Sequence, residues 1–199
     1  MEFLTKGGPV IIPLIICSVM AVVIVIERIM FFSRRFNPDQ REFNILKQFL
    51  GQGKISEAKQ MVSRWNTSLG RILFAAIKQK ESNPSLIESV AQSAGELEVK
   101  YLQRGLNLLD SIVTASPLLG LLGTVTGIIK AFNALAVSGG NQSAQLGAGI
   151  SEALYNTALG IAIAIPALFF VNIFYGIADH KARELTCKSQ EILTILKES

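Results

Sequence analysis

The stretch that most constrains this chain is residues 151–175, SEALYNTALGIAIAIPALFFVNIFY, which is almost wholly apolar. A helix needs roughly 20 such residues to cross a bilayer, so this stretch is long enough. Ala153, Thr157, Gly160 and Ala164 recur at helical spacing and share one face, which is small and carries a hydroxyl. Lipid requires no small face, so the pattern predicts a closely packed neighbouring helix or a narrow pore.

Composition places the chain among membrane proteins with several spans. It has 199 residues, 50% of them hydrophobic, and a mean hydropathy of +0.41, which is too apolar for an ordinary soluble domain. Cys17 and Cys187 lie far apart and His180 has no ligand cluster around it, so we expect no disulfide framework, no metal site and no cofactor. The net charge of +4 comes from basic residues scattered among acids, which argues against nucleic-acid binding.

Three spans and two soluble segments are predicted, all of them helical. The predicted fold is an all-α integral membrane protein whose helices extend well beyond the bilayer. Its predicted segments are a first span in 1–33, a helical region in 34–110, a second span in 111–137, a short link in 138–149, a third span in 150–177 and a C-terminal helix in 178–199.

Orientation follows from lysine and arginine, which favour the cytoplasmic side of a membrane. The 34–110 segment holds twelve of them, the tail after Tyr175 holds four and the 138–149 link holds none. We therefore expect the helical region and the tail in the cytoplasm, and the link and the N-terminus outside. The first apolar run is followed rather than preceded by arginines, which is typical of a retained span and not of a signal peptide.

Short amphipathic helices are predicted between the first two spans. Apolar residues recur at helical spacing in 43–50, 55–65 and 69–80. From Ser85 the pattern shows no breaker before Pro117. It therefore predicts one continuous helix that runs from the soluble region into the second span.

The second span carries a stripe of small residues. Gly120, Gly123 and Gly127 share one helical face with Ser116 and Ala131. A glycine-rich phosphate loop is the alternative, but Gly127 is not followed by Lys-Ser or Lys-Thr, and the glycines lie inside a span. We therefore expect these glycines to serve close helix packing.

Thr124 and Thr157 are polar side chains in apolar helices, at comparable predicted depths. Each hydroxyl could simply bond a carbonyl of its own helix. Both nevertheless flank small-residue stripes on helices joined by a short link, so repetition around an oligomer would form a ring of hydroxyls. Helix packing and a pore both stay open at this point, and the pore hypothesis would line it with Thr124 and Thr157 together with the small residues Ala153, Gly160 and Ala164.

Glu152 begins the predicted third span, and two roles are open for it. A carboxylate at a helix start is favoured by the macrodipole, whereas an ionisable residue in a span is a candidate for proton handling. The residues alone leave both roles open, and we take the second, a part in proton handling, as the hypothesis to test. Lys130, near the outer end of the second span, either reaches the membrane interface or pairs with Glu152. Glu27 and Arg28, at the inner end of the first span, predict an interfacial ion pair.

Acidic residues are missing from the middle of every predicted span. None lies between Glu152 and Asp179, and the second span has none. A protein that carries protons through a membrane needs a titratable group at mid-depth. Either this chain moves no ions, or a partner helix supplies the acid.

Two motifs connect the chain with a known family. SPLLGLLGTVTGIIKAF from Ser116 and LGAGISEALYNTALGIAIAIPA from Leu146 closely resemble the signature of the MotA/TolQ/ExbB proton-channel family, and most closely its ExbB/TolQ branch. The resemblance implies a pentamer of this chain surrounding two copies of a single-span partner, similar to ExbD or TolR, whose span bears an aspartate. It also implies that Thr124 and Thr157 face that aspartate and that Glu152 is the acid at the outer end of span three.

The function implied by this resemblance is that of a channel-forming motor subunit. Such a subunit would use the proton-motive force across the bacterial inner membrane to drive an envelope protein similar to TonB or TolA, and would not be an enzyme. Two alternatives stay open from the residues alone. One is a non-conducting membrane scaffold for a single-span partner, and the other is a motor coupled to sodium.

Overall fold

The computed structural model describes residues 8–33, 39–137 and 142–198. In these ranges the chain forms α-helices and two short 3-10 helices, Gly8–Val10 and Pro84–Leu86, and contains no strand. The α-helices are α1 (Ile11–Phe32), α2 (Gln40–Gly51), α3 (Ile55–Ser63), α4 (Ser68–Ser82), α5 (Ile87–Gln103), α6 (Leu106–Val137) and α7 (Gln142–Glu198).

Three helical segments are long and apolar enough to cross a membrane. They lie in Gly8–Phe32, Pro84–Asn133 and Leu146–Lys197. The prediction of an all-α membrane protein with three such segments is therefore confirmed. The predicted continuation of the third span into a long C-terminal helix is also confirmed, because α7 runs without interruption from Gln142 to Glu198.

The chain divides into two compact units. The first comprises Met1–Ile29 and Gly105–Phe174, and the second comprises Met30–Arg104 and Tyr175–Ser199. The first unit thus holds most of α1, all of α6 and the N-terminal part of α7. The second holds α2 to α5 and the C-terminal part of α7.

The second unit has a hydrophobic core formed by amphipathic helices. α3 packs against α2, and α4 packs against both α3 and α5. The buried apolar side chains recur at helical spacing and include Phe43, Leu46, Leu50, Ala58, Val62, Leu69, Leu73, Ala76, Ile77, Ile87, Leu102, Leu185, Ile192 and Leu196. This spacing is the one that the sequence showed, so the short helices form where their apolar stripes predict them.

Ion pairs join the C-terminal part of α7 to the other helices of the second unit. Nζ of Lys47 lies 2.8 Å from Oε1 of Glu191, and Nζ of Lys197 lies 2.8 Å from Oε2 of Glu88. The hydrogen bond and the positive charge of Lys197 lower the pKa of the Glu88 carboxyl. Both pairs are exposed to solvent, so each adds only little to stability.

The predicted continuous helix from Ser85 into the second span is wrong. α5 ends at Gln103 and α6 begins at Leu106. Gly105 between them has φ of 78°, a conformation that side-chain-bearing residues rarely adopt. A single glycine is often tolerated inside a helix, so the sequence pattern alone did not reveal that this one ends α5.

The predicted link over 138–149 is shorter than expected. Residues 138–141 lie outside the described ranges, and α7 already begins at Gln142. Gly149 is not a loop glycine: a Cβ placed there would lie 2.5 Å from the Cβ of Ala131 on α6. The absence of a side chain at Gly149 allows α7 to approach α6 closely at this point.

Candidate functional site

The glycines of α6 form the contact with α7. A Cβ on Gly120 would lie 2.9 Å from the carbonyl oxygen of Asn156, and a Cβ on Gly127 would lie 3.0 Å from the Cβ of Ala153. A Cβ on Gly123 would overlap the side chain of Asn156. Each glycine therefore lies where any larger residue would push the two helices apart, as expected for a small-residue stripe.

The small residues of α7 lie on the other side of the same contact. A Cβ on Gly160 would overlap the carbonyl oxygen of Ser116 in α6. Ala153 and Ala164 are buried within the chain. Within one chain, Ala153 and Gly160 are thus engaged in packing against α6. The predicted position of Ala153, Gly160 and Ala164 on a pore stays a prediction. In the single chain, Ala153 and Ala164 are buried and do not face an open surface.

The two threonines bond differently. The Thr157 hydroxyl donates to the carbonyl oxygen of Gly120 across the helix pair, at 3.1 Å. The Thr124 hydroxyl donates to the carbonyl of Leu121 in its own helix, at 2.6 Å. Thr124 therefore bonds a carbonyl of its own helix, as one alternative predicted, whereas Thr157 connects α6 and α7.

Glu152 of α7 pairs with Lys130 of α6. Nζ of Lys130 lies 3.0 Å from Oε1 of Glu152, with side chains that are 51% and 24% exposed respectively. Glu152 lies ten residues after the start of α7 at Gln142. The macrodipole acts only within the first turn, so Glu152 does not cap this helix. Of the two alternatives for Lys130, reaching the membrane interface or pairing with Glu152, the structure shows the pair.

These features lie within the part of the chain that carries a family signature. The sequence model of the MotA/TolQ/ExbB proton channel family matches residues 64–186, which is more than half of the chain. The chain belongs to this family. The resemblance predicted from the motifs around Ser116 and Leu146 is therefore confirmed.

Curated relatives place the chain in the ExbB branch of the MotA/TolQ/ExbB family. It is 32% identical to a protein of Synechocystis sp. named biopolymer transport protein ExbB-like 1, over 99% of this chain and 78% of the relative. It is 35% identical to ExbB-like 3 of the same organism, over 84% of this chain and 81% of the relative. A biopolymer transport protein of Vibrio cholerae, exbB1, is 30% identical over 87% of this chain and 78% of the relative.

Asn156 is a site residue that the sequence analysis did not single out. Its side chain is only 1% exposed and lies against Gly123 of α6. The available signal was its spacing, three residues after Ala153 and four before Gly160, which puts it on the small face rather than beside it. A buried amide at this point places a polar group next to Thr157 in an otherwise apolar helix pair.

Charged groups elsewhere in the first unit are few. The predicted pair of Glu27 and Arg28 is present: Nε of Arg28 lies 2.5 Å from Oε2 of Glu27, and Nη2 lies 2.6 Å from Oε1. The Arg28 side chain is only 2% exposed, so this half of the pair is buried within the chain.

Among the described residues no group of three His, Cys, Asp or Glu side chains could hold a metal ion.

Proposed function

We propose that this chain is the channel-forming subunit of a motor driven by the proton-motive force in the bacterial inner membrane. It would work with a single-span partner similar to ExbD or TolR and would energise an envelope process such as transport through a protein similar to TonB or TolA. Family membership supports the class, and the relatives named for biopolymer transport support the process. The observation that carries the proposal is that the Thr157 hydroxyl bonds across the α6–α7 pair, while neither helix has an acidic residue in the middle of its predicted span.

Thr157 has the chemistry that such a subunit would need. A hydroxyl has one donor and two acceptor positions, and the structure uses the donor on the Gly120 carbonyl. In this state the oxygen can accept a hydrogen bond from a protonated carboxyl but cannot donate to an ionised one. An aspartate on the partner would therefore be bound differently before and after it loses its proton. That difference is what converts proton transfer into movement.

The proposal includes the assembly of several copies of the chain around the partner. Five copies would surround the partner, with the second and third spans towards the axis and the first span towards lipid. The 34–110 region and the C-terminal helix would lie in the cytoplasm, since they carry nearly all of the lysine and arginine outside the spans. Thr124, Thr157 and Glu152 would then lie along the ion pathway.

The experiment that tests the proposal is Thr157→Val, co-expressed with the partner. Valine keeps the branched shape and removes the hydroxyl, so the complex should still assemble while protonophore-sensitive activity falls sharply. Thr126→Val is the matched control, because the Thr126 hydroxyl bonds only carbonyls of its own helix, those of Leu122 and Gly123. Activity retained in Thr157→Val at equal protein level would instead support the scaffold alternative.

Proton and sodium coupling are separated by a second measurement. Replacing sodium by potassium at constant pH should leave the activity of the reconstituted complex unchanged if protons are the coupling ion. Loss of activity that sodium restores would overturn the proton assignment and leave the motor assignment intact.

A further inference from the structure

The Lys130–Glu152 ion pair has a third neighbour. The 3-10 turn Gly8–Val10 packs against α6, and Gly8 has φ of 61°. A Cβ placed on Gly8 would overlap Oε1 of Glu152 and would lie 2.9 Å from Nζ of Lys130. The backbone of Gly8 therefore lies directly against both charged groups and leaves no room for a side chain.

We propose that Gly8 is a positioning residue that holds the Glu152 carboxylate against the Lys130 ammonium. Glycine meets two requirements here, a positive φ and the absence of a Cβ. The other described glycines with positive φ serve no such contact. Gly53 has nothing within 4 Å of an added Cβ, and Gly105 would meet only a side-chain carbon of Ile24, at 3.7 Å.

The contact predicts displacement of the charges rather than unfolding. The atoms that an added methyl would meet are the far ends of two flexible side chains, which can swing aside. Gly8→Ala should therefore carry only the backbone strain of a positive φ, as Gly53→Ala does, and should in addition move the carboxylate away from the ammonium. A role of Gly8 in ion coupling rests on the function proposed for Glu152, whereas its positioning role rests on the geometry alone.

Zero-length carbodiimide coupling tests the positioning in the full chain in membranes. This reagent joins a carboxylate to an amine only where the two groups touch. The Lys130–Glu152 product is quantified by mass spectrometry against the Lys47–Glu191 product, whose reacting atoms lie 2.8 Å apart. We expect Gly8→Ala to lower this ratio several-fold and Gly53→Ala to leave it unchanged. An unchanged ratio in Gly8→Ala overturns the proposal.

A double mutant separates this inference from the proposed function. With the partner present, Gly8→Ala should lower energised activity in the wild-type chain but cause no further loss in a Glu152→Ala chain, because the displaced group is then absent. An additional loss in that background would show that Gly8 acts elsewhere and would overturn the inference. If Glu152→Ala itself retains full activity, the proposed role of Glu152 fails, while the cross-linking ratio still decides whether Gly8 positions it.

Discussion

Substitution of a single residue in the α6–α7 pair can change activity without changing stability, and Glu152 is the clearest case. An exposed ion pair contributes roughly 0–1 kcal/mol, so Glu152→Gln should hardly change the thermal stability of the detergent-solubilised protein. If the carboxylate attracts protons to the pathway, the same change should slow energised activity several-fold. Glu191→Gln, which breaks the Lys47 pair in the second unit, is the matched control. Equal activity of both variants would remove Glu152 from the pathway.

Glu98 is a buried carboxylate of the second unit that is paired with Arg71. Its carboxylate side chain is only 5% exposed and accepts two hydrogen bonds from Arg71, both 2.6 Å long. The hydrogen bond to Glu98 is the main cause of the raised pKa of Arg71. Arg71→Leu leaves a buried carboxylate without this partner and should lower the free energy of unfolding by about 2 kcal/mol.

The measurement for Arg71→Leu is thermal unfolding in detergent at neutral pH. Arg64→Leu, an exposed arginine at the end of α3, controls for the loss of a positive charge and should shift the midpoint little. A midpoint for Arg71→Leu that matches this control would show that Glu98 is solvated in the protein rather than dependent on Arg71.

The sequence showed which polar residues lie in the spans. It could not show which carbonyl group accepts the hydrogen bond from each threonine. Spacing alone identified Thr157 and Glu152 as polar groups on a small-faced helix. Spacing could not show that Thr157 bonds across to α6 while Thr124 bonds within it, because both are threonines flanked by small residues. The position of Gly8 beside Glu152 depends on contacts between residues far apart in the chain, which no local pattern encodes.

At the scale of helices, the close approach of α6 and α7 depends on glycines that meet backbone. Gly160→Ala should destabilise the hairpin, because its Cβ would overlap the carbonyl of Ser116, a group that cannot swing aside. Overpacking of this kind typically costs about 1–3 kcal/mol. Gly176→Ala on the same helix is the matched control, since a Cβ there meets nothing within 4 Å. A thermal midpoint of Gly160→Ala equal to that of Gly176→Ala would show that the helices separate without cost.

The presence of each helix could be predicted from the sequence, but the end of α5 and the start of α7 could not. The periodicity of the apolar residues predicted each short helix of the second unit and the long C-terminal helix. Gly105 and Gly149 have opposite roles, one ending α5 through a positive φ and the other allowing α7 to approach α6. A glycine in the sequence is compatible with both roles, so only the packed structure distinguishes a break from a contact.

At the scale of the whole molecule, the first unit has an extensive apolar surface. Large apolar side chains remain exposed on each of its helices, among them Val19 and Val23 on α1, Leu118 on α6, and Leu154 and Phe169 on α7. Lipid can cover such surfaces without specificity. The small residues of α6 and α7 already serve packing within the chain, whereas the proposed pore role of Thr124 and Thr157 would require several copies around one axis.

The resemblance to the MotA/TolQ/ExbB family implies five copies, and we predict that the chain forms a pentamer in mild detergent. Native mass spectrometry should show a species of five times the 21.6 kDa chain mass, with additional mass from two copies when the single-span partner is co-expressed. A cyclic assembly would place Thr157 of every copy at one depth, where the hydroxyls could contact the carboxyl of the partner. Thr157→Val should keep this mass, because valine preserves the shape of the packed surface. A spectrum that contains only single chains, under conditions where the partner remains bound, would contradict both the pentamer and the ring of hydroxyls on which the proposed coupling depends.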